Sequence, residues 1–145
     1  MRGDLVYFVQ TDTTVGFLSR SAERLARIKG RPSQKPFLKA IARLSTLGEI
    51  GRVPRKFRRE IRRSRGSSYI LPNGQSFRLV RGEHLDFVKR FEWCYSTSAN
   101  RHGEPYDEKY AREACDVVVE SKDGFHAAEP SRIWRVARRK RVKVR

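Results

Sequence analysis

The sequence has 145 residues, which is the size of one domain with a single hydrophobic core. Its 33 Lys and Arg residues against 16 Asp and Glu residues give a formal charge of +17, which predicts a polyanionic partner or a phosphorylated ligand. No apolar run approaches the roughly 20 residues of a membrane span, the N-terminus turns polar too soon for a signal peptide, and the two cysteines lack metal-ligand spacing. We therefore expect a cytoplasmic protein without membrane contact and without a metal centre of its own.

The first part of the chain alternates between β-rich and helical patterns. A buried strand is predicted over residues 5–9, and Gly16 is expected to turn the chain. Ser21 then caps a predicted helix over residues 22–29, which Gly30 ends. The next predicted elements are a strand over residues 37–41, a short helix or turn over residues 44–50 and a cationic surface helix over residues 54–63.

The rest of the chain predicts further strands and two more helices. The Asn73-Gly74 dipeptide between β-rich runs favours a hairpin of residues 69–71 and 77–80. The later elements are a helix over residues 85–91, a strand that ends at Tyr95, a helix over residues 108–114, a strand over residues 117–119 and a strand pair over residues 133–136 and 142–144. The predicted class is α/β or α+β: a single domain, residues 1–145, with a twisted mixed sheet flanked by helices.

A polar stretch follows the strand that ends at Tyr95. Ser96, Thr97, Ser98 and Asn100 lead into a Gly/Pro turn. Hydroxyl and amide groups at a strand end are suited to hold an anionic ligand. A turn that hydrogen-bonds its own backbone is the more common explanation of such a stretch, so the ligand hypothesis needs a second segment.

Cations around Gly30 provide that second segment. Lys29 and Arg31 flank the glycine and Lys35 follows, so several donors lie on backbone that can approach a ligand closely. Arg can bind phosphate oxygens in a bidentate manner, which favours a triphosphate or pyrophosphate. Cations that stabilise the C-terminal end of a helix dipole are an equally good explanation of this segment alone.

Three separated segments together resemble the YrdC/Sua5/YciO family. Residues 9–16 resemble its Pro-Thr-Asp-Thr-Val-Tyr-Gly segment, with Gln10 in place of Pro and with Thr14 and Val15 in place of Val and Tyr. Residues 29–37 resemble its Lys-x-Arg-Pro segment, and residues 96–105 resemble its Ser-x-Asn segment followed by Gly-Glu-Pro. The three segments occur in the family's order, and weaker similarities extend over almost the whole chain.

The resemblance implies an enzyme, a nucleotidyltransferase that forms threonylcarbamoyl adenylate and pyrophosphate from L-threonine, bicarbonate and ATP. This product serves the threonylcarbamoyladenosine modification of tRNA, so proteins that transfer it to tRNA are implied partners. The implied fold has a concave basic cavity, and Mg²⁺ is expected with the ATP. Carried over by position, the implied residues are Thr13 for threonine, Lys29 and Arg31 for catalysis and the ATP phosphates, and Ser98, Asn100, Ser68, Arg81 and Ser131 for the rest of the ATP site.

Two other functions remain open. A related protein with little or no synthase activity could bind tRNA or another structured, double-stranded RNA through its basic residues. The residues predicted to contact RNA phosphates lie in two basic clusters, residues 52–65, with Arg58, Arg59, Arg62 and Arg63, and the terminal run within residues 135–145. A solvated surface is the commoner explanation of any one such run. The third and weakest hypothesis is carbamoyl transfer, as in the related domain of hydrogenase maturation proteins.

Overall fold

The computed structural model describes residues 2–32 and 34–145, and within these ranges nine strands form one sheet. The strands are β1 (Tyr7–Gln10), β2 (Val15–Ser19), β3 (Leu38–Ile41), β4 (Ser67–Ile70), β5 (Ser76–Leu79), β6 (Trp93–Ser98), β7 (Val117–Val118), β8 (Arg132–Val136) and β9 (Arg141–Lys143). The helices are α1 (Ala22–Lys29), α2 (Leu47–Ile50), α3 (Arg58–Arg63), α4 (Glu83–Val88) and α5 (Glu108–Ala114), with 3₁₀ turns at Leu44–Thr46 and Arg55–Phe57.

The sheet is mixed, as the sequence predicts. Its strand order is β7-β1-β2-β6-β3-β5-β4-β8-β9. The pairs β7/β1, β3/β5 and β4/β8 are parallel, and the five other neighbouring pairs are antiparallel. The predicted hairpin is the β4/β5 pair, whose turn contains Gly74 at a φ of 85°. Because β8 and β9 join the sheet beside β4, the C-terminus lies next to the strands of the chain's middle.

Helices pack on the sheet because successive side chains of a strand point to opposite faces. Phe8 of β1 packs in a cluster with Leu25 of α1 and Ala111 of α5. Its neighbour Tyr7 lies in another cluster, with Val88 of α4. Burying a large apolar side chain of this kind contributes about 1.5–3 kcal/mol, so the alternating pattern of β1 holds helices against the sheet on opposite faces.

A third apolar cluster lies under the cationic helix. Phe57 and Ile61, four residues apart, are buried in it with Phe77 of β5 and Val136 of β8. The basic side chains between these two residues are exposed, which confirms the surface helix predicted from the sequence. The helix therefore attaches to the sheet by a narrow apolar stripe and turns its charges outward.

The structure corrects the prediction at Gly16. This residue does not turn the chain but lies inside β2, a fully buried strand that the sequence analysis missed. A Cβ atom at Gly16 would lie 2.9 Å from the carbonyl oxygen of Thr97 in β6 and 3.0 Å from Cγ2 of Thr11. The glycine is thus required by the close approach of two strands, and the turn lies earlier, within residues 11–14.

Two smaller predictions also change. Ser96, Thr97 and Ser98 belong to β6 and not to a loop, and helix α4 begins and ends earlier than residues 85–91. Both cysteines are free thiols; Cys94 is buried and Cys115 is half-buried. Burial raises the pKa of the Cys94 thiol to about 12. Among the described residues, no helix is long and apolar enough to cross a membrane.

Candidate functional site

A cavity of about 390 Å³ crosses the middle of the sheet. Its lining includes residues of β2, β6, β3, β5, β4 and β8, which are six consecutive strands of the sheet. Seven of the eight residues predicted to bind substrates line this cavity: Thr13, Lys29, Arg31, Ser68, Ser98, Asn100 and Ser131. These residues come from segments more than 100 positions apart, so the fold assembles one site from separate parts of the sequence.

The end of helix α1 places Lys29 in the cavity. The Oγ of Ser21 accepts a hydrogen bond from the N–H of Arg24 at the start of the helix. At the other end Gly30 adopts a φ of 66°, a left-handed conformation that glycine enters without strain. The backbone N–H of His102 donates to the carbonyl oxygen of Lys29 at 2.9 Å, which ties the segment after β6 to this helix end.

Lys29 is the central cation of the site. Its side chain is buried, with 4% of the residue exposed. Its Nζ donates to the carbonyl oxygen of Ser98 at 3.0 Å, to Ser98 Oγ at 3.3 Å and to Asn100 Oδ1 at 3.1 Å. All three acceptors are neutral, and burial together with nearby Arg31 and Lys35 lowers the pKa of Lys29 to about 8. A buried ammonium without a carboxylate partner is stabilised by an anionic ligand.

Arg31 is held in place by its own loop. Its guanidinium donates to the carbonyl oxygens of Lys35 at 3.1 Å and Pro36 at 2.8 Å, and it lies 3.8 Å from the centroid of the Phe37 ring. Its Nε is buried and has no hydrogen-bond partner. Burial lowers the pKa of Arg31 from its ordinary value. The side chain is therefore held beside the cavity, and its buried Nε–H is available to a ligand.

Asn100 is oriented by the turn that follows β6. Its Nδ2 donates to the carbonyl oxygens of Arg101 at 2.8 Å and Glu104 at 2.7 Å. With the amide nitrogen used in this way, Oδ1 points to the ammonium of Lys29. The Gly/Pro turn that the sequence analysis noted thus fixes one of the acceptors around Lys29.

The threonines of the β1–β2 turn line the cavity beside β2. Thr13 donates its backbone N–H to Thr11 Oγ1 at 3.1 Å, and the two hydroxyl oxygens lie 3.3 Å apart. Thr14 Oγ1 accepts from the backbone N–H of Ala128 at 3.1 Å, while Gln10 Oε1 accepts from that of His126 at 3.0 Å. Two of the three positions that depart from the family pattern, Gln10 and Thr14, therefore hold residues 126–128 against this turn.

Ser68 and Ser131 form the opposite part of the cavity. Their hydroxyl oxygens lie 2.6 Å apart, and both residues are buried. Arg145 Nε donates to the carbonyl oxygen of Ser131 at 3.1 Å, and one of its terminal nitrogens lies 3.5 Å from Ser131 Oγ. Burial and the nearby charge of Arg78 lower the pKa of Arg145. The sequence analysis placed Arg145 in a basic run and missed its position in the cavity.

The sequence analysis chose the wrong arginine near β5. Arg81 does not line the main cavity; its guanidinium donates to the carbonyl oxygens of Ser64 and Arg62, and it borders a separate cavity of about 400 Å³. Arg78 lines the main cavity instead, with 4% of the residue exposed. Arg78 lies within β5, whereas Arg81 follows the end of that strand, and the two side chains border different cavities.

Arg78 forms a buried ion pair with Asp12. The Oδ1 of Asp12 accepts from Arg78 Nε at 3.2 Å and from one terminal nitrogen at 3.1 Å, and both side chains are less than 10% exposed. This pairing gives Asp12 a structural role. It also fixes the guanidinium of Arg78 at the cavity wall.

The charges of the cavity are of one sign. The described lining residues include five cations and no Asp or Glu, namely Lys29, Arg31, Lys35, Arg78 and Arg145. No group of three His, Cys, Asp or Glu side chains that could hold a metal ion occurs among the described residues. A cavity of this charge and size is suited to a small polyanion such as a nucleoside triphosphate.

Comparison with known proteins identifies the fold. No protein-family model and no curated sequence matches this chain. Among solved structures, P. abyssi Sua5 in complex with L-threonine matches 97% of this chain at 17% sequence identity and a TM-score of 0.79, which covers 50% of the Sua5 chain. E. coli YciO matches 98% of this chain at 17% identity and a TM-score of 0.77, which covers 82% of YciO.

The same fold occurs inside a much larger protein. Full-length HypF in its phosphate- and nucleotide-bound form matches 97% of this chain at 14% identity and a TM-score of 0.76, over 26% of the HypF chain. The present chain spans about half the length of the Sua5 structure with L-threonine. The fold predicted from the resemblance to the YrdC/Sua5/YciO family is therefore confirmed: this chain has the Sua5 and YciO fold.

Proposed function

We propose that the protein is an L-threonylcarbamoyladenylate synthase. In this reaction the amine of threonine and bicarbonate condense to a carbamate with loss of water. A carbamate oxygen then attacks the α-phosphorus of ATP, a P–O bond forms to give threonylcarbamoyl adenylate, and the bond to the leaving pyrophosphate breaks. The proposal goes beyond the fold, which this chain shares with Sua5 and YciO.

The observation that supports the proposal most strongly is the environment of Lys29. The Lys-x-Arg and Ser-x-Asn residues, about 70 positions apart in the chain, meet around one buried ammonium that has neutral acceptors and no carboxylate. Burying this ammonium costs desolvation free energy, and a ligand that supplies negative charge would offset that cost. The phosphates of ATP supply it.

The cations divide the cavity between two parts of the nucleotide. Lys29 and Arg31 would neutralise the triphosphate where pyrophosphate leaves, with Ser98 and Asn100 orienting phosphate or ribose oxygens. Ser68, Ser131 and Arg145 form a second polar group in the same cavity, for the remaining contacts of the ATP. Phosphoryl transfer needs positioning and charge stabilisation rather than a protein nucleophile, and these residue types provide both.

The β1–β2 turn is the proposed threonine site. Thr13 lines the cavity, and its backbone N–H and hydroxyl are held by Thr11. P. abyssi Sua5, which has the same fold, has been solved with L-threonine, and this supports threonine as the ligand. Arg78, fixed by Asp12, adds a cation for a carboxylate or for bicarbonate near this turn.

The described lining residues provide no carboxylate for Mg²⁺. The residues therefore do not fit a protein-bound Mg²⁺, and we assign the ion expected with ATP to the nucleotide's own phosphate oxygens. The protein's part in the reaction is to bind, orient and neutralise. Tests of the proposal should accordingly change the cavity side chains.

Pyrophosphate release by the purified protein tests the proposal. We expect release from ATP in the presence of Mg²⁺ and bicarbonate to require L-threonine, and omission of bicarbonate to abolish it as well. L-Serine, which lacks the methyl group, serves as the matched control for the amino-acid pocket. Release that is unchanged without threonine would contradict the synthase assignment.

A further inference from the structure

We propose that His102 is the general base that takes a proton from the ammonium group of threonine when the carbamate forms. The inference rests on the proposed function and names a catalytic residue for it. His102 lies between the Ser-x-Asn residues and the Gly-Glu-Pro turn, and neither pattern includes it. The structure places it in the lining of the main cavity, together with Lys29 and Asn100.

Carbamate formation releases a proton, and a base must accept it. Threonine carries an ammonium group at neutral pH, and its nitrogen has no lone pair until a proton is removed. The free amine then attacks the carbon of bicarbonate, a C–N bond forms, and hydroxide leaves that carbon and takes a second proton from the nitrogen to become water. One ammonium and one bicarbonate thus give one carbamate, one water and one proton. A positioned general base usually accelerates such a step by about 100- to 10,000-fold.

The other polar side chains of the cavity do not supply this base. The described lining residues include no Asp or Glu, and hydroxyl and amide groups do not bind a proton at neutral pH. Lys29, with a pKa of about 8, holds its proton at neutral pH and donates to three oxygen atoms. Among the described lining residues His102 is the single imidazole, the side chain that gains and loses a proton between about pH 5 and 8.

The backbone holds His102 beside the proposed phosphate site. Its N–H donates to the carbonyl oxygen of Lys29 at 2.9 Å, and the N–H of Glu104 closes the turn around it by donating to the carbonyl oxygen of Arg101 at 3.0 Å. Asn100 Nδ2 donates to the carbonyl oxygens on both sides of His102, those of Arg101 and Glu104. The turn that orients Asn100 toward Lys29 therefore also fixes the backbone of His102 at the cavity.

The imidazole of His102 is available to a substrate. It makes no hydrogen bond and no ion pair with any residue that the structure describes. The residue is also exposed, so a proton taken from the amine can pass to water before the next turnover. A general base needs both properties, since it must reach the substrate and then lose the proton that it has accepted.

The two other histidines lack these properties. His84 is 5% exposed, and its ring nitrogens have no hydrogen-bond partner among the described residues. It borders the separate cavity, and burial lowers its pKa to about 4, so it stays neutral at the pH of the reaction. His126 is exposed, but it does not line the main cavity. His126 is therefore a natural control for His102.

The charged groups around His102 are the five cavity cations and, in its own turn, Arg101 and Glu104. The guanidinium of Arg101 lies 4.7 Å from the centroid of the Tyr110 ring, and Glu104 is exposed. Lys29 has a pKa of about 8 and will itself affect the activity as the pH changes. Comparison of variants at the same pH removes this contribution, because Lys29 is present in each of them.

The test compares His102→Gln with His126→Gln in threonine-dependent pyrophosphate release between about pH 6 and pH 9. Glutamine keeps a polar side chain but cannot accept the proton. Both positions are exposed, and circular dichroism verifies that each variant is folded. Free imidazole is added in a second series, because a small base can replace a missing general base in an exposed site.

At about pH 7 we expect kcat/KM for threonine to fall by about 100-fold in His102→Gln and to change by less than about twofold in His126→Gln. The loss should shrink to less than about tenfold at about pH 9, where threonine itself loses its ammonium proton to water. The KM for ATP should change by less than about threefold in both variants, since the base acts on the amine and not on the phosphates. Imidazole should restore His102→Gln by at least about tenfold and leave His126→Gln unchanged.

Three results would overturn the inference. One is release by His102→Gln within about twofold of the wild type. Another is a higher KM for ATP with an unchanged kcat, which would make His102 a contact of the nucleotide. The third is a loss that is equal at every pH and that imidazole does not reduce, which would indicate a structural role. Each of these leaves the proposed function standing, whereas a wild-type protein without threonine-dependent release would contradict the proposed function and this inference together.

Discussion

The cavity and the exposed basic surface of helix α3 use the same residue types in opposite environments. In the cavity, Lys29 is 4% exposed and has three oxygen partners, and Arg31 is bonded to its own loop. On α3, the arginines are exposed around the half-buried Glu60, namely Arg58, Arg59, Arg62 and Arg63. Burial of a cation costs desolvation free energy, whereas an exposed cation stays hydrated and is screened by salt.

This difference determines what each region can recognise. A fixed, desolvated cation can discriminate a small ligand whose charge falls at one point, and it can stabilise charge that develops during a reaction. A wide surface of exposed arginines recognises a long polyanion, with affinity that comes from the release of counterions. Composition alone predicts a polyanionic partner, and only the structure distinguishes the buried cations from the exposed ones.

The largest expected effect is the loss of turnover in the Lys29→Ala variant. Without the ammonium, the departing pyrophosphate lacks the central cation that would neutralise it. We therefore expect threonine-dependent pyrophosphate release to fall by about 100-fold or more. RNA affinity should be nearly unchanged. Lys109→Ala, at an exposed position of α5, is the control. Intact turnover in Lys29→Ala would show that the phosphate site is assigned wrongly.

Two variants, each of which breaks one ion pair, compare the free energies of unfolding that depend on a buried and on a partly exposed pair. Asp12→Ala leaves the guanidinium of Arg78 buried without its charge partner, which should reduce the free energy of unfolding by about 3 kcal/mol. Glu60→Ala breaks the partly exposed pair with Arg141 and should cost less than about 1 kcal/mol. Urea unfolding measures both. Equal costs for the two variants would contradict the described difference in burial.

The pH dependence of Lys29 should have opposite signs for binding and for folding. With a folded-state pKa of about 8 in the unliganded protein, Lys29 loses its charge as pH rises through that value, so ATP affinity should fall. Stability without ligand should instead rise between pH 8 and 10.5, because the unfolded lysine still binds its proton there. Both trends should be absent from Lys29→Gln, measured by ATP titration and by urea unfolding across this range.

The smallest effect expected is the response of ATP binding to salt. Lys29 and Arg78, two of the five cavity cations, are buried, so the KM for ATP should change by only about threefold between 50 and 200 mM salt. Over the same range the Kd for a double-stranded RNA hairpin bound through the exposed arginines of α3 should rise by about 100-fold or more. Parallel salt slopes for ATP and RNA would indicate that both bind the same surface.

Much of the site was predictable because its residues lie in short segments with recognisable chemistry. Lys29 with Arg31 and Ser98 with Asn100 were identified as a phosphate site, and the structure brings them to one cavity. Their contact could not be derived from the sequence, since it depends on β6 and α1 meeting across 71 residues. The resemblance to a family supplied that step.

The missed residues differ in the signal that the sequence carried for them. Gly16 looks like a turn residue, but it lies in β2 because the carbonyl of Thr97 leaves no room for a side chain, which only the β2–β6 pairing reveals. The alternation of Ser76 and Arg78 with Phe77 in β5 did carry a signal for Arg78, which a strand period of two could have used.

Arg145 carried no comparable signal. It reaches the cavity because the C-terminal strand folds back beside β8, where the N–H of Ile133 donates to the carbonyl of Arg145. Its role therefore depends on a pairing and not on a motif. The β8–β9 hairpin also holds the second basic run against the α3 segment. The same hairpin therefore places cations both in the cavity and beside α3.

The most direct measurement follows the carbon of bicarbonate. The protein is incubated with ¹³C-bicarbonate, ATP, Mg²⁺ and L-threonine, and the products are analysed by carbon-13 NMR and mass spectrometry. We expect the wild-type protein to form an adenylate that contains threonine and a labelled carbamoyl carbon, and we expect Lys29→Ala not to form it. Conversion of ATP to AMP with the label remaining in bicarbonate would contradict the synthase assignment.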